Sequence, residues 1–305
     1  MSAITATPLS RVTPKDILLD SLKQKQGKWV SGEYLAQRLS MTRSAVWKRI
    51  SILKEEGYGI DSKTSKGYRL LEIPDLLLAR EIRDRLLTSV LGQGEIYRYL
   101  STDSTNNRAK EFAAAGAAEG VLVIAEEQAH GRGRLDRPWF SSAGENICAS
   151  LIVRPCLPPG SASRMVILTA VAAAEALIAA TGLTATVKWP NDILVGGRKI
   201  GGILLEMAVE MDVIDYMVIG LGINVNSPAE RFPEEIRAKT TSVLMETGTA
   251  FSRITLLCKF LEFLEQGYNM FRESGFEPII NRWKALTDMV GRQVTIRTIG
   301  GCYKG

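Results

Sequence analysis

Apolar residues recur along the chain with two periods, and each period predicts a different kind of element. In the first quarter, two segments, 16–25 and 43–53, carry apolar residues at helical spacing. Short continuous apolar runs predict buried strands at Val121 to Ala125, Asn146 to Val153, Ala185 to Val187 and Tyr216 to Gly222. Longer runs predict a buried helix at Met165 to Ala180 and an amphipathic helix at Ile254 to Phe271. A mixed chain of 305 residues is long enough for two or three domains.

The first quarter has the pattern of a winged helix-turn-helix. A short helix at 31–39 is followed by a tight turn and a second helix, whose apolar face is opposite Arg43, Ser44, Trp47 and Lys48. Two short predicted strands then bracket a basic tip at 63–66, which is typical of a wing that contacts phosphate or the minor groove. The candidate DNA-binding residues are Ser31, Gly32, Thr42, Arg43, Ser44, Trp47, Lys48, Lys63 and Lys66. The alternative is a small three-helix packing module with a solvated charged face.

The charge distribution favours nucleic-acid binding by this segment. Residues 14–72 contain 12 Lys and Arg and 7 Asp and Glu, an excess of five that equals the net charge of the whole chain. The rest of the chain is therefore formally neutral. A local excess of positive charge is the electrostatic footprint expected of a segment that binds a polyanion.

Composition excludes several other classes of protein. The four cysteines have no paired spacing, which indicates reduced thiols in a cytoplasmic protein. His130 is the single histidine, so a histidine-based zinc site and a Ser-His-Asp triad are excluded. The run from Met165 to Ala180 is interrupted by Glu175 and is too short to span a bilayer, so no membrane association is expected.

A glycine–arginine loop between two predicted strands is the strongest candidate for chemistry. Residues 131–139 contain two glycines, three arginines and one tryptophan. Alternate glycines let a backbone approach a ligand closely, and arginine offers a planar charged fork for phosphate or carboxylate oxygens. The pattern therefore predicts an anion-binding loop, and the alternative is a basic, solvated hairpin turn.

Two further polar segments follow predicted strands. Residues 101–107 form a run of seven polar residues before a helix, more than helix capping requires. Lys188 ends a predicted strand and is followed two residues later by Pro190. The first segment predicts hydrogen-bonding groups aimed at a polar ligand. The proline would fix Lys188 at the end of its strand, and the alternative is an exposed strand-terminal lysine, which is common.

These motifs together resemble the bifunctional biotin protein ligases that also repress biotin operons. The resemblance runs from about residue 14 to the end and rests on segments in the family's order: 104–106, Gln128, 131–134, 188–192, 199–204 and 220–224. It implies an α+β multidomain fold. The expected parts are a flexible tail at 1–13, a winged helix-turn-helix at 14–72, a central class II synthetase-like mixed α/β ligase domain at 76–287, and the start of a truncated SH3-like β-barrel at 288–305.

The resemblance also implies the reaction and the residues that perform it. Biotin and ATP would form biotinyl-5′-AMP and pyrophosphate, and a lysine of the biotin carboxyl carrier protein of acetyl-CoA carboxylase would then receive the biotin. Lys188, Arg132 and Arg134 are the implied catalytic residues, with Mg²⁺ assisting and no metal ligand assigned among the side chains. The implied biotin-binding residues are Ser104, Thr105, Asn106, Gln128, Gly131, Arg132, Gly133, Arg134 and Lys188. The implied residues for ATP and the adenylate are Arg134, Arg137, Trp139, Lys188, Asn191 and Asn224.

The same resemblance implies that the adenylate-bound chain forms a homodimer on operator DNA. Asp136 departs from the family, which usually has a small residue there, and we expect it to weaken nucleotide binding or to order the loop when ligand arrives.

A lipoate ligase is one alternative function, although the polar residues at 104–106 and Gln128 suit a ureido ring better than an apolar lipoyl tail. A biotin-sensing repressor that has lost catalysis is another. A nucleotide hydrolase is excluded because the chain lacks a GxxxxGK[ST] loop.

Overall fold

The computed structural model describes residues 4–7, 13–298 and 301–305. The chain divides into two compact units, one of residues Leu9–Leu76 and one of Met1–Pro8 with Leu77–Gly305. The first described element is strand β1 (Ile4–Thr7), which belongs to the larger unit. Residues 1–13 were expected to form a flexible tail; 4–7 form a strand instead, and 1–3 and 8–12 lie outside the described residues.

The smaller unit contains three helices and a two-stranded wing. Its elements are α1 (Pro14–Lys23), α2 (Gly32–Arg38), α3 (Arg43–Glu55), β2 (Gly59–Lys63) and β3 (Gly67–Glu72). Leu22, Leu35, Val46 and Leu53 are fully buried, so the apolar faces predicted from the helical spacing form one core. The predicted helix-turn-helix with its wing is therefore present.

Caps and one glycine fix the local geometry of this unit. Ser31 and Thr42 begin α2 and α3, where their hydroxyls accept hydrogen bonds from backbone N–H groups 3.0 and 3.2 Å away. Gly67 begins the second wing strand with φ +94°, and a Cβ there would lie 2.1 Å from the Val30 carbonyl oxygen. Only glycine fits this close approach between the wing and the start of α2.

The larger unit is built on one mixed sheet with helices on both faces. Its helices are α4 (Ala79–Arg83), α5 (Thr105–Ala114), α6 (Ala162–Thr181), α7 (Glu234–Arg237), α8 (Val243–Thr247), α9 (Arg253–Ser274) and α10 (Glu277–Leu286). Its further strands are β4 (Ile96–Tyr99), β5 (Leu122–Ala125), β6 (Asn146–Val153), β7 (Ala185–Lys188), β8 (Asp192–Val195), β9 (Arg198–Glu210), β10 (Val213–Asn224), β11 (Thr295–Thr298) and β12 (Gly301–Lys304).

Eight of these strands form the sheet in the order β1-β4-β5-β6-β10-β9-β8-β7. β4 and β5 pair in parallel, and the other neighbours pair antiparallel. The Gly196-Gly197 turn between β8 and β9 has φ values of 56° and 75°, as a two-glycine hairpin turn requires. β11 and β12 form a separate two-stranded sheet, so the described part of 288–305 is a hairpin rather than a closed barrel.

The continuous apolar strands are explained by a core on each face of the sheet. In β5, Leu122 and Ile124 join the core under α6 and α9, whereas Val123 and Ala125 join the smaller core under α5. Helix α6 is long and apolar enough to cross a membrane by length and composition, but 56% of its apolar window is buried inside the protein. It is the buried core helix that the sequence predicted.

A buried ion cluster links the sheet to α9. Glu126 follows β5, and its carboxylate accepts hydrogen bonds from Arg253 at 2.7 Å and Arg98 at 2.7 Å. Arg253 is completely buried, so Glu126 neutralises a charge that has no access to water. Burial acts to raise the pKa of Glu126, but the charge and hydrogen bonds of Arg253, and then those of Arg98, outweigh burial and lower it.

We predict that Glu126→Leu destabilises the chain by about 3–5 kcal/mol, because it leaves the buried Arg253 guanidinium without its counter-ion. Urea unfolding monitored by circular dichroism measures this. The control is Glu262→Gln, whose ion pair with Lys259 on α9 is partly exposed and is worth about 1 kcal/mol or less. Equal stability of the two variants would contradict the assigned role of Glu126.

Candidate functional site

A cavity of about 880 Å³ opens above the glycine-rich middle of the sheet. Eleven of the predicted site residues line it: Ser104, Thr105, Asn106, Gln128, Arg132, Gly133, Arg134, Arg137, Trp139, Lys188 and Asn191. The rest of the lining comprises Leu135, Pro138, Ala149, Trp189, Pro190, Asp192, Lys199, Gly202, Ile203, Leu204, Gly220, Leu221 and Gly222. The cavity therefore brings together segments that are up to about 120 residues apart in sequence.

One wall of the cavity consists of neutral polar groups at the start of α5. Ser104 is the N-cap residue of α5, yet its side chain makes no capping hydrogen bond. The Gln128 amide oxygen accepts hydrogen bonds from the Thr105 backbone N–H at 2.8 Å and the Thr105 hydroxyl at 3.0 Å. Thr105 thus holds the Gln128 amide in one orientation.

Asn106 occupies a different position from the one its motif suggested. Its amide nitrogen donates to the Leu204 carbonyl at 3.2 Å and to Glu206 at 2.8 Å, and its amide oxygen lies 2.6 Å from the Ser150 hydroxyl, which donates to it. Asn106 is 3% exposed, so its polar groups are used inside the protein. A Cβ at Gly220 would lie 2.3 Å from the Asn106 amide oxygen, which explains the glycine at that position.

The glycine–arginine loop folds into a narrow hairpin. The Trp139 N–H donates to the Gly131 carbonyl at 2.8 Å, and the Gly133 N–H donates to the Arg137 carbonyl at 2.7 Å. At the tip, Leu135 and Asp136 have φ values of 57° and 52°. Aspartate tolerates this left-handed region better than most residues, which gives Asp136 a local conformational role.

Arg132 is held mainly by Asn107 rather than by Asp136. Its guanidinium donates to the Asn107 amide oxygen at 2.7 Å, whereas the Asp136 carboxylate is 3.7 Å away. The Asp136 side chain is 87% exposed, so solvent screens its attraction for Arg132. The carboxylate therefore leaves most of the loop's positive charge available.

The lining carries five cations and one carboxylate: Arg132, Arg134, Arg137, Lys188 and Lys199 against Asp192. Lys199 and Asp192 form an ion pair of 2.5 Å. Within the part of the chain that the structure describes, Arg134, Arg137 and Lys188 make no ion pair. A cavity with uncompensated positive charge attracts anions and stabilises charge that develops on them.

Two glycines of the sheet make room for Trp139. A Cβ at Gly222 would lie 2.5 Å from the Trp139 ring, and one at Gly202 would lie 3.3 Å from the Lys199 side chain. The Lys199 ammonium lies 5.7 Å from the centre of the Trp139 ring, within range of a cation–π interaction.

The thiol of Cys148, near Trp139, is buried. Its pKa is raised to about 11 by burial, against the opposing effect of the polar groups of Ser141, Trp139 and Gln128.

Two predicted residues lie outside the lining. Gly131 is buried beneath it, where a Cβ would be 2.7 Å from the Trp139 carbonyl oxygen. Asn224, expected on the adenylate side, is 2% exposed and donates to the Thr241 carbonyl at 3.0 Å. Asn191 lines the cavity, but its amide nitrogen donates to the Ile203 carbonyl at 2.7 Å. Both asparagines therefore stabilise the backbone around the site.

Sequence reasoning assigned no role to several lining residues. Lys199, Asp192 and the sheet glycines Gly202, Gly220 and Gly222 lie in motifs that were noted but not interpreted. The alternation of glycine at 220 and 222 was a usable signal, because both residues then face the same side of one strand.

The smaller unit has its own basic surface between α3 and the wing. A cleft of about 440 Å³ is lined by Ser31, Gly32, Glu33, Arg43, Trp47, Ser62, Lys63, Thr64, Ser65, Lys66, Gly67 and Tyr68. Trp47 is 59% exposed, and Lys48 is exposed on the same helix. Thr42 and Ser44 lie just before and within the first turn of α3, with their hydroxyls 2.9 Å apart. An exposed aromatic ring among lysines and arginines is an arrangement suited to a nucleic-acid surface.

Fold and sites together define a class: a winged helix-turn-helix protein that carries a ligase-type mixed sheet with a cationic small-molecule cavity. Residues 99–224 match the biotin/lipoate A/B protein ligase family, and residues 16–69 match an HTH domain. The bifunctional ligase/repressor BirA of Bacillus spizizenii is 38% identical over 97% of this chain and 90% of its own length. That of Bacillus subtilis is 37% identical over the same shares.

The solved structures agree with these matches. The biotin protein ligase from Aquifex aeolicus in complex with biotin and ATP has a TM-score of 0.60 and 26% identity, over 69% of this chain and 85% of that one. The chain belongs to the family of the bifunctional ligase/repressor BirA. The fold expected for the helix-turn-helix unit and the central ligase domain is confirmed.

We predict that Gly222→Ala displaces the Trp139 ring and destabilises the chain by about 1–3 kcal/mol, because the added methyl overlaps the indole. Thermal unfolding measures the loss. The control is Gly160→Ala, where nothing lies within 4 Å of the new Cβ. If both substitutions left the melting temperature unchanged, Trp139 could not be packed against Gly222 as described.

Proposed function

We propose that this chain is an ATP-dependent biotin protein ligase that also represses transcription of biotin genes. The observation that carries the proposal is the cavity, where uncompensated cations face a wall of ordered neutral hydrogen-bonding groups. Membership of the ligase/repressor family supports both activities. The relative crystallised with biotin and ATP supports these two substrates.

The first half-reaction joins two anions, which is the difficulty that the cavity is suited to overcome. A carboxylate oxygen of biotin attacks the α-phosphorus of ATP, a P–O bond forms, and pyrophosphate leaves with the electrons of the broken P–O bond. Lys188 and the guanidinium groups of Arg132 and Arg134 would screen the repulsion between carboxylate and phosphate and stabilise the added charge in the transition state. No covalent enzyme intermediate is required.

Specificity for biotin would come from the neutral wall. Ser104, Thr105 and Gln128 would hydrogen-bond the ureido ring, and an analogue without that ring would leave their buried polar groups unpaired. Trp139 and Arg137 would lie on the nucleotide side. In the second half-reaction, the amine of a carrier-protein lysine attacks the acyl carbon of biotinyl-5′-AMP, forms an amide and releases AMP. The acceptor is the biotin carboxyl carrier protein.

Mg²⁺ would accompany the nucleotide rather than occupy a cage of protein ligands. Among the described residues, no three His, Cys, Asp or Glu side chains gather closely enough to hold a metal ion. Mg²⁺ commonly binds through substrate phosphates with one or two carboxylates, and Asp192 is the carboxylate in the lining. The ion would neutralise phosphate charge there.

Repression would use the basic cleft of the smaller unit on operator DNA, with a cytoplasmic homodimer as the binding species. A two-fold dimer places two recognition helices on operator half-sites of matching symmetry. The hairpin of β11 and β12 would belong to a C-terminal module of the SH3-like type found in the family.

We predict that Lys188→Ala lowers the rate of biotin-dependent ATP–pyrophosphate exchange by about 10²–10³, the usual cost of removing one positioned charged donor. The matched control is Lys284→Ala, which removes an exposed lysine from α10. An exchange rate within twofold of the parent for Lys188→Ala would exclude this lysine from the mechanism.

Biotin together with ATP should strengthen dimerisation, because bound adenylate would pair with Arg134 and Arg137 of the cationic loop, which make no ion pair among the described residues, and would fix the loop in one conformation. Sedimentation equilibrium measures the dimer dissociation constant with and without the two substrates. If the dimer dissociation constant were the same with and without biotin and ATP, the proposed coupling between adenylate formation and repression would be wrong.

A further inference from the structure

Two residues that do not line the cavity are hydrogen-bonded to residues of its neutral wall. Ser150 lies on β6 and is completely buried, and Glu206 lies on β9 and is half-buried; neither lines the cavity. Both contact Asn106, which in turn lies beside Thr105. Their hydrogen bonds form a continuous relay, Glu206–Asn106–Ser150–Thr105–Gln128, from β9 to the wall of the cavity.

The first half of the relay fixes the Asn106 amide. Its two N–H bonds are used by the Leu204 carbonyl at 3.2 Å and the Glu206 carboxylate at 2.8 Å. Its oxygen must therefore face Ser150. The Glu206 carboxylate is held in turn by the Lys110 ammonium at 2.6 Å. Burial acts to raise the pKa of Glu206, but the hydrogen bonds of Lys110 and Asn106 outweigh it and lower the pKa. Glu206 thus stays an acceptor.

The second half follows from counting protons. An amide oxygen can only accept, so the single proton of the Ser150 hydroxyl is committed to Asn106 at 2.6 Å. The Ser150 hydroxyl cannot then donate to the Thr105 hydroxyl, which is 2.8 Å away. The Thr105 proton must point inward, to Ser150 or to the Gln128 amide oxygen at 3.0 Å. Either way, Thr105 offers the cavity a lone pair and no proton.

The same relay sets the polarity of Gln128. Its amide oxygen is occupied by the Thr105 backbone and hydroxyl groups, so its NH₂ group has the hydrogen bonds left to offer. The nearby Cys148 thiol can take no more than one of the two N–H bonds. At Thr105 and Gln128 the wall therefore presents an acceptor beside a donor. A cyclic urea offers the complementary pair, an N–H next to a carbonyl oxygen.

We infer that Ser150 and Glu206 are positioning residues for biotin recognition, which fix through Asn106 the donor and acceptor that the wall presents to the ureido ring. This inference rests on the proposed ligase function. It gives a reason for a buried serine and a charged glutamate next to a cavity that they do not line. It also predicts that substitutions of these two residues change the KM for biotin and not the KM for ATP.

The test is steady-state kinetics of biotin-dependent ATP–pyrophosphate exchange by the full chain. Ser150→Ala removes the donor to the Asn106 amide oxygen and one of the two groups that can accept the Thr105 proton, so that the Asn106 oxygen is left unsatisfied and Thr105 is held only by Gln128. We expect the KM for biotin to rise about tenfold, the cost of leaving a buried polar group unsatisfied, while the KM for ATP stays within twofold. Thr169→Val is the matched control, because it removes another completely buried hydroxyl, one that donates to the Met165 carbonyl within α6.

Further variants separate positioning from general stability. Glu206→Leu should raise the KM for biotin as Ser150→Ala does, and Glu206→Gln should restore most of the loss because it keeps an acceptor. Glu111→Gln, which changes an exposed carboxylate of α5 outside the relay, should change the KM less than twofold. In a Gln128→Ala background, Ser150→Ala should have little further effect, because residues on one relay are not additive. If Ser150→Ala does not fold, the Glu206 variants carry the test.

The outcomes are distinguishable from a failure of the proposed function. A parent chain without biotin-dependent exchange overturns that function, and the relay with it. An active parent whose KM for biotin is unchanged by Ser150→Ala and Glu206→Leu overturns the relay alone. Equal rises in the KM values for biotin and ATP, or a Glu111→Gln effect as large as that of Glu206→Leu, also overturn it.

Discussion

Uncompensated positive charge inside a cavity is the constraint on which the rest of the site depends. Arg134, Arg137 and Lys188 lie in the lining without an ion pair among the described residues, while Asp192 is already paired with Lys199. Such charges repel one another and lower the stability of the folded chain unless an anion arrives. By contrast, the completely buried Arg253 is neutralised by Glu126. The contrast marks the cavity as a place where stability is given up for binding.

The sheet makes this arrangement possible by being unusually poor in side chains at its centre. Gly202, Gly220 and Gly222 lie side by side on β9 and β10, and each is approached closely by a side chain that a Cβ would displace. Trp139 and Asn106 occupy the space created. The cationic loop therefore packs directly on the sheet through Trp139. The polar N-terminus of α5 lies on the opposite side of the same cavity. Loop, helix and sheet form one site because the sheet leaves room for both.

The sequence could predict most elements because their periods are strong. The helix-turn-helix follows from the helical spacing of Val46, Ile50 and Leu53, and β5 and β6 follow from their apolar runs. Those runs did not show that the sheet is covered on both faces. The role of Asn106 was also beyond sequence reasoning, because its partners Leu204 and Glu206 lie about a hundred residues away. Residue type indicates which hydrogen bonds a side chain can make, whereas the fold determines which of them are made inside the protein.

The most direct measurement of the central claim is calorimetric titration of biotin into the full chain, with and without ATP. If the cavity exists to bring two anions together, biotin should bind one site per chain, and its apparent affinity should rise strongly when ATP is present. If biotin gives no binding heat, or an affinity that ATP does not change, the positive charge of this cavity serves some other purpose and the account is wrong.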